Sequence, residues 1–534
     1  MRRPAASLPI ALAMLLAGAA CSAQETSFML PARAAAPDAP APAMVRQIRF
    51  RGNTVVPTAV LDQLAAPYRD RPLGEAERER LRLDVTEYYV AAGYVNSGAV
   101  LGPAARDGDV LTLDIVEGRL NAIRIQGMQG LDDRYLLERL QVDGSAPFNM
   151  ETLRARFTLL LADPLFERLN ARVIPGAHPG EAVLDVDATR ARPYQLSAYV
   201  NNYRPPSIGA DALGLKGSVR NLSGRGDVLE ASIQTSPAKE RSPRAALGWS
   251  MPLTPATALS LQWEHGEASV VEEPLALLDI HSVLDSKEVG LSHVLDETLE
   301  HKYALGLAYG QRRNSTTLSG QPFSFTPGEP DGSTRVQAWR CWQEGVWRTA
   351  AQVLALRSTF SATRNNTRHV NGLPANALQA AARAWLWQGQ GQYARQLMDN
   401  GAQLIVRANL QWSGAVLVAL DRIAAGGYAT VRGYRENSLI RDRAAIINIE
   451  FDYPVRSGNL RWALVPFVDA ARAGNTGEDA VSIASLGLAT RLRWRNLALD
   501  LALARRLLHP DGIGAGTGTW QDRRVHAQLS YQFL

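Results

Sequence analysis

Between Ala429 and Pro454 the chain reads ATVRGYRENSLIRDRAAIINIEFDYP. In its second half Ile447, Ile449, Phe451 and Tyr453 alternate with Asn448, Glu450 and Asp452. That period of two predicts one β-strand with an apolar and a polar face. The first half is a polar loop carrying Arg432, Gly433, Tyr434 and Arg435. Similar alternation dominates the chain after Arg192, at Leu259-Leu261-Trp263, Leu404-Val406-Ala408-Leu410, Leu488 to Trp494 and VHAQLSYQF near the end. In RLRWR, Arg491, Arg493 and Arg495 are expected on one face, with Leu492 and Trp494 on the other. A soluble sandwich would alternate as well. In a membrane barrel the polar face lines an aqueous lumen. Spread over sixteen strands, residues 193–534 allow about 21 residues per strand and connection, which suits membrane-crossing strands of about 9–11 residues.

Upstream the period changes. VRQIRFRG predicts a strand with a one-residue slip, ending at Gly52-Asn53. A helix with Leu61 and Leu64 on one side follows, then a longer one whose stripe is Leu81, Val85, Tyr88 and Ala92, stopped by Gly93. SGAVL and DVLTLDIVEG predict two strands with a turn at Asp107-Gly108. The same β-α-α-β-β order recurs: LNAIRIQG, LDDRYLLERL, METLRARFTLLLADP (stripe Leu153, Phe157, Leu160, Leu161), LNARVIPG and EAVLDVDAT. An internal duplication is the simplest reading.

The N-terminus has Arg2 and Arg3, then an apolar run from Leu8 to Leu16, then small residues, the layout of a secretory signal peptide over 1–23. Cys21 has Gly18 three positions before it, so ordinary cleavage near Ala19 to Ala23 is expected in preference to lipidation. Residues 24–43 are rich in Ala and Pro, a linker composition. No later run approaches the ~20 apolar residues of a transmembrane helix.

With 534 residues the chain exceeds one ordinary core. The formal charge of +5 is mild for this length and the basic residues are dispersed. No nucleic-acid partner is therefore expected. Two cysteines, Cys21 and Cys341, give neither a disulfide framework nor a zinc site. GIGAGTG (Gly512 to Gly518) lacks the βαβ context of a phosphate loop and reads as a connection. His178 reads as a turn residue and Asp227 as part of a strand connection. With no G-x-S-x-G or H-E-x-x-H, no catalytic residue, metal, cofactor or enzymatic activity is expected. The eleven tryptophans read as interface anchors and core aromatics.

Seven patches in order resemble a known family: FRGNT at Phe50, AAGYVNSGAVL after the long helix, IVEGRL at Ile115, IPGAHPGEAVLDV at Ile174, NLSGRGDVLE at Asn221, VRGY at Val431 and FVDAA at Phe467. The chain from about residue 44 resembles the two-partner secretion transporters (TpsB, haemolysin secretion/activation type) of the POTRA-barrel superfamily. The resemblance implies two small α+β POTRA domains, 44–119 and 120–190, before a 16-stranded transmembrane β-barrel over 191–534. It implies an outer-membrane location in a Gram-negative bacterium, with the POTRA domains in the periplasm. The implied function is export of a large adhesin- or haemolysin-like partner by type V secretion. The client would be bound by the POTRA domains, the barrel would contact outer-membrane lipid, and barrel-assembly machinery would insert it. It further implies that the loop Val431, Arg432, Gly433, Tyr434 folds into the lumen, where Arg432 pairs with Asp469 on a wall strand that also carries Phe467. Ala471 stands where the family has glycine, and the chain ends one residue beyond its final aromatic, Phe533. Residues 24–43 hold four prolines and no amphipathic period, so no plug helix is expected there. The alternatives are an assembly factor for other barrels, a passive porin-like channel and, last, a soluble periplasmic enzyme.

Overall fold

A computed structural model describes residues 43–102, 105–140, 144–237, 242–372, 379–457, 460–513 and 518–533. The expected signal peptide, nearly all of the linker, most of the GIGAGTG stretch and the terminal Leu534 lie outside them. Contacts divide the chain into two units, one of residues up to Gln129 with Leu136–Arg190, the other of Gly130–Tyr135 with the chain from Ala191 on.

The N-terminal unit holds two sheets of the same plan. In the first, β1 (Gln47–Arg51) runs parallel to β3 (Val110–Val116), and β2 (Gly98–Val100) pairs antiparallel on the other side of β3. Helices α1 (Thr58–Ala65) and α2 (Glu75–Ala91) cover this sheet. Leu111, Leu113 and Ile115 alternate inward and close a core with Ile48, Leu61, Ala65, Leu81 and Val85. The slip in VRQIRFRG is a break between two strands, Ala43–Val45 pairing with Arg71–Leu73 and β1 pairing with β3. The α2 stripe differs from the predicted one. Tyr89 is fully buried and Tyr88 is 36% exposed, so the stripe is Leu81, Val85, Tyr89, four residues apart throughout. Tyr89 wins the inner position because its hydroxyl reaches Glu117 at 3.0 Å.

The second sheet repeats the topology. β4 (Arg119–Gln126) is parallel to β6 (Glu181–Arg190), and β5 (Phe166–Pro175) is antiparallel to β6. Its helices are α3 (Asp133–Leu140) and α4 (Met150–Leu161). Leu153 and Leu160 are buried, but Leu161 is 53% exposed, because it lies one residue past the stripe at the helix end. Asn149 caps α4, accepting from the Glu151 and Thr152 amides at 2.9 and 3.2 Å. Its amide also donates to the Ala92 carbonyl at the end of α2. Gly93, at φ +92°, leaves room for this; a Cβ there would meet Asn149 at 2.9 Å.

The second unit is a closed antiparallel barrel. Sixteen long strands run from Tyr194–Asn201 to Val525–Gln532 among the described residues, with one two-residue strand, Gln321–Pro322, appended. Burial is inverted relative to a soluble sheet. On Arg443–Ser457, Ile447 and Ile449 are 42% and 40% exposed, while Asn448 and Glu450 are 4% and 3% exposed. Trp339, Trp385, Trp412 and Trp494 are at least half exposed on the outer face, as membrane-interface aromatics are. Several strands exceed the expected length, notably Ile280–Glu297 and His301–Leu318 at 18 residues each. The outward residues of the second strand turn polar beyond Tyr309 (Gln311, Arg313, Ser315), so this part stands clear of the hydrocarbon. Arg495 leaves its expected face, because the strand ends at Trp494 and Arg495 sits in the following turn at φ +50°. Asp227 is buried in a turn, where it accepts from the Ser223 amide and the Trp249 indole at 2.8 and 2.9 Å.

The seam that closes the barrel is short, pairing only Ser197–Asn201 with Gln528–Gln532. Asn202 extends it with its side chain, donating to the Val525 carbonyl and accepting from the Ala527 amide, both at 2.8 Å.

Candidate functional site

The loop between Gln403–Ser413 and Arg443–Ser457 folds onto itself before it reaches the wall. A short hairpin, Ile423–Ala425 with Leu439–Arg441, forms its stem. Asp442 anchors the base, accepting from the Leu417 and Thr476 amides and from Arg422 Nε at 3.0–3.1 Å. At the tip Gly426 and Gly427 take φ values of +106° and +102°, where an L side chain is strained.

Val431, Arg432 and Tyr434 are buried. Arg432 binds Asp469 as a fork, Nε to Oδ2 at 2.7 Å and Nη2 to Oδ1 at 2.8 Å. Its backbone amide adds a third bond to Oδ2 at 3.1 Å. Such bidentate, charge-assisted pairs are the strong members of their class. The third guanidinium nitrogen donates to Glu450 Oε1 at 2.8 Å, and Arg432 Cζ lies 3.5 Å from the Phe467 ring centroid. Thus the structure brings Arg432, Asp469 and Phe467 together, and all three are under 4% exposed.

Two desolvated carboxylates around one guanidinium would leave excess negative charge. Glu450 is balanced from behind by Arg491 at 2.8 Å and Arg407 at 3.2 Å, and Arg491 also holds Asp452 at 2.8 Å. Asn448 donates to Asp469 Oδ1 at 2.8 Å and to the Thr430 carbonyl of the loop. Cross-strand register explains the cluster, since Asn448 stands directly opposite Asp469 and Glu450 opposite Phe467.

Gly433, at φ +87°, passes so close to the wall that a Cβ would meet Ala504 Cβ at 2.8 Å. Its amide donates to His526 Nε2 at 3.1 Å, and its carbonyl accepts from Arg506 Nε at 2.6 Å. The Tyr434 hydroxyl donates toward the Leu508 and Ala484 carbonyls, at 2.5 and 3.1 Å. Its ring packs in a pocket with Ala471, Ala473 and Ile483. Beyond the motif, Arg435 forms a second fork on Asp522, and Tyr428 stacks on Tyr203 with centroids 4.1 Å apart.

Glu450, Asn448, Arg491, Arg407, His526 and Arg506 were not legible as site residues in the sequence. Each shows only as a polar position in an alternating strand. Nothing in the sequence alone gives the strand register that sets Glu450 and Asn448 beside Asp469.

A model of the haemolysin secretion/activation proteins ShlB/FhaC/HecB matches residues 180–493, more than half of the chain. The chain belongs to this family. A POTRA domain of the ShlB type matches residues 43–118. The outer membrane transporter CdiB of Dickeya dadantii (strain 3937) is 25% identical over 476 residues, 84% of this chain and 80% of that protein. The solved structure of CdiB from Escherichia coli superposes with a TM-score of 0.69 at 19% identity, covering 95% of this chain and 93% of that one. BamA from Haemophilus ducreyi lacking POTRA domains 1–3 gives 0.54 at 13% identity, covering 92% of this chain and 100% of that one. The barrel fold is thus shared with BamA. As a member of the haemolysin secretion/activation family, this protein is an outer-membrane translocator of a partner exoprotein by two-partner secretion, its POTRA region on the periplasmic side.

Proposed function

We propose that the transporter exports one large, adhesin- or haemolysin-like client, and that the Arg432–Asp469 latch holds the VRGY loop in the lumen between export events. The desolvated fork between Arg432 and Asp469 supports this reading. A loop meant only to cap the barrel would not need its charge neutralised on the wall. The signal peptide (1–23) delivers the chain to the periplasm, and the linker (24–43) leads to two POTRA modules, 44–119 and 120–190, ahead of the barrel at 191–534. The shared topology of the two N-terminal sheets supports the duplication. β1 and β2 in one sheet and β4 and β5 in the other stand at the sheet edges, and an extended client adds to such an edge as a strand. Barrel-assembly machinery inserts the protein, reading the outward aromatics Tyr531 and Phe533 near the chain's end. The transporter carries out no covalent chemistry; folding of the client outside draws it through.

The test is secretion. The gene is deleted and large proteins of the medium are compared by mass spectrometry, with complementation by wild type and by Arg432→Ala. Loss of one large protein, restored by wild type and poorly by the variant, is expected. An unchanged medium with other outer-membrane barrels depleted would overturn export in favour of assembly.

A further inference from the structure

The outer wall of the barrel carries a groove. Two adjoining cavities of about 660 and 430 Å³ open on it, and Trp387 and Leu410 line both. The floor of the larger follows one rung of the sheet. Ala408, Gly391, Leu356, Gly345 and Tyr303 stand in direct cross-strand register. Tyr303 and Leu356 are 37% and 44% exposed, so this rung faces outward. Gly391 in the rung carries no side chain, and this opens a trough, while the space over Gly345 is taken by the Trp347 ring. The neighbouring indoles fold down beside it. A Cβ on Gly345 would meet the Trp347 ring at 2.6 Å, and one on Gly389 would meet Trp387 at 2.8 Å.

The smaller cavity continues past Trp387 and Trp412, which pair across their strands. Arg443 and Arg472 stand at its far end. Leu410 pairs with Ala445, and Ala445 with Arg472, which puts Arg472 on the outer face. Arg443 donates to the Asn475 carbonyl at 3.2 Å, and neither arginine is ion-paired among the described residues. Glu478 also lines this end and accepts from Asn475 Nδ2 at 2.8 Å. The chain enters its first strand, Tyr194–Asn201, from the periplasmic POTRA side, so the loop that ends at Asp442 lies at the extracellular rim. Arg443 and Arg472 therefore stand at the level of the outer-leaflet head groups. At the same rim Arg313 faces Arg335 and Arg364 faces Arg383 directly across strands. Like charges so placed repel unless an anion sits between them.

We propose that this groove is a binding site for lipopolysaccharide, with Arg443 and Arg472 on a phosphate of its lipid A head and an acyl chain in the glycine-floored trough. The guanidinium fork matches phosphate geometry. The trough supplies apolar surface immediately below it, at hydrocarbon depth. Phospholipids of the periplasmic leaflet place their phosphates at the opposite rim, beyond Tyr303 and Trp347.

The test uses the full chain purified in detergent, stripped of lipid and titrated with lipid A by native mass spectrometry. Wild type should retain a lipid A adduct. Arg443→Gln with Arg472→Gln should weaken it about tenfold or more, the scale of losing a charge-assisted pair. Removing the phosphates from lipid A should do the same, and Gly391→Leu should weaken binding by filling the trough. Arg505→Gln, an outward arginine away from the groove, should leave it unchanged. Heat-modifiable gel mobility checks that each variant is folded. If the double variant does not fold, benzoylphenylalanine in place of Trp412 in the otherwise native chain should cross-link to lipid A in cells. Equal binding of phosphorylated and dephosphorylated lipid A, equal or tighter binding of phosphatidylglycerol, or a cross-link to phospholipid alone would overturn the site.

Discussion

Asp469 accepts four hydrogen bonds, three from Arg432 and one from Asn448, with no exposure to water. Removing one partner of such a pair strands the other charge, at a cost of about 3–5 kcal/mol. Arg432→Ala and Asp469→Ala are each expected to weaken the seat of the loop on that scale. Combined, they should cost much less than the sum, because no buried charge is then left alone. The check is a double-mutant cycle on hydrogen exchange of residues 426–438; additive losses would show that the two side chains act separately. Gly433 makes a second residue-scale prediction. Gly433→Ala adds left-handed strain of about 1–2 kcal/mol and a collision with Ala504. Ala504→Gly should restore part of the lost protection, the part due to the collision, and leave the strain.

At the scale of elements, Glu117 ties the two ends of the first module together. Its carboxylate accepts from the Thr54 and Val55 amides at 2.6 and 2.9 Å, from the Thr54 hydroxyl and from Tyr89. Gly52 makes the approach possible, since a Cβ there would strike the Ile115 carbonyl at 2.5 Å. FRGNT and IVEG, far apart in the chain, are thus two halves of one joint. Burial pushes the Glu117 carboxyl up, but these hydrogen bonds outweigh it and hold it below the usual carboxylate range. A depressed folded value stabilises the module above the unfolded value of about 4.3. Protection of the Thr54 and Val55 amides should therefore be flat from pH 7 to pH 5 and fall only as the medium becomes more acid than that. Glu117→Gln should lose it at neutral pH. Sequence patterns reached the elements well here. The strand periods, the helix pairs and the stop at Gly93 were all legible, because each follows from local burial. Tyr89 was not. Its place inside depends on Glu117, a partner 28 residues away that no local period encodes.

For the whole molecule, the alternation in the C-terminal part fixed the architecture but not its interior. Ile449 and Glu450 could be assigned to opposite faces from the period alone. That Glu450 meets Arg432, Arg407 and Arg491 depends on how strands and loop stack around the ring. The short seam illustrates the same limit. Its pairing joins Asn201 to Gln528 across nearly the whole barrel sequence, and Gln521 links both sides by donating to the Asn202 and Arg204 carbonyls. The loop shares this region: the Glu436 amide donates to Gln521 Oε1 at 2.9 Å, and the Gly433 amide to His526.

On the proposed latch, in which wall residues on several strands hold the loop tip, the resting transporter should also form part of the cell's permeability barrier. A cell carrying it without any client should resist large antibiotics that outer membranes exclude, such as vancomycin, as well as a cell lacking it. The same cell with Asp469→Ala should become sensitive, at equal amounts of folded barrel in the membrane. Unaltered resistance would mean that something other than this ion pair keeps the pore tight.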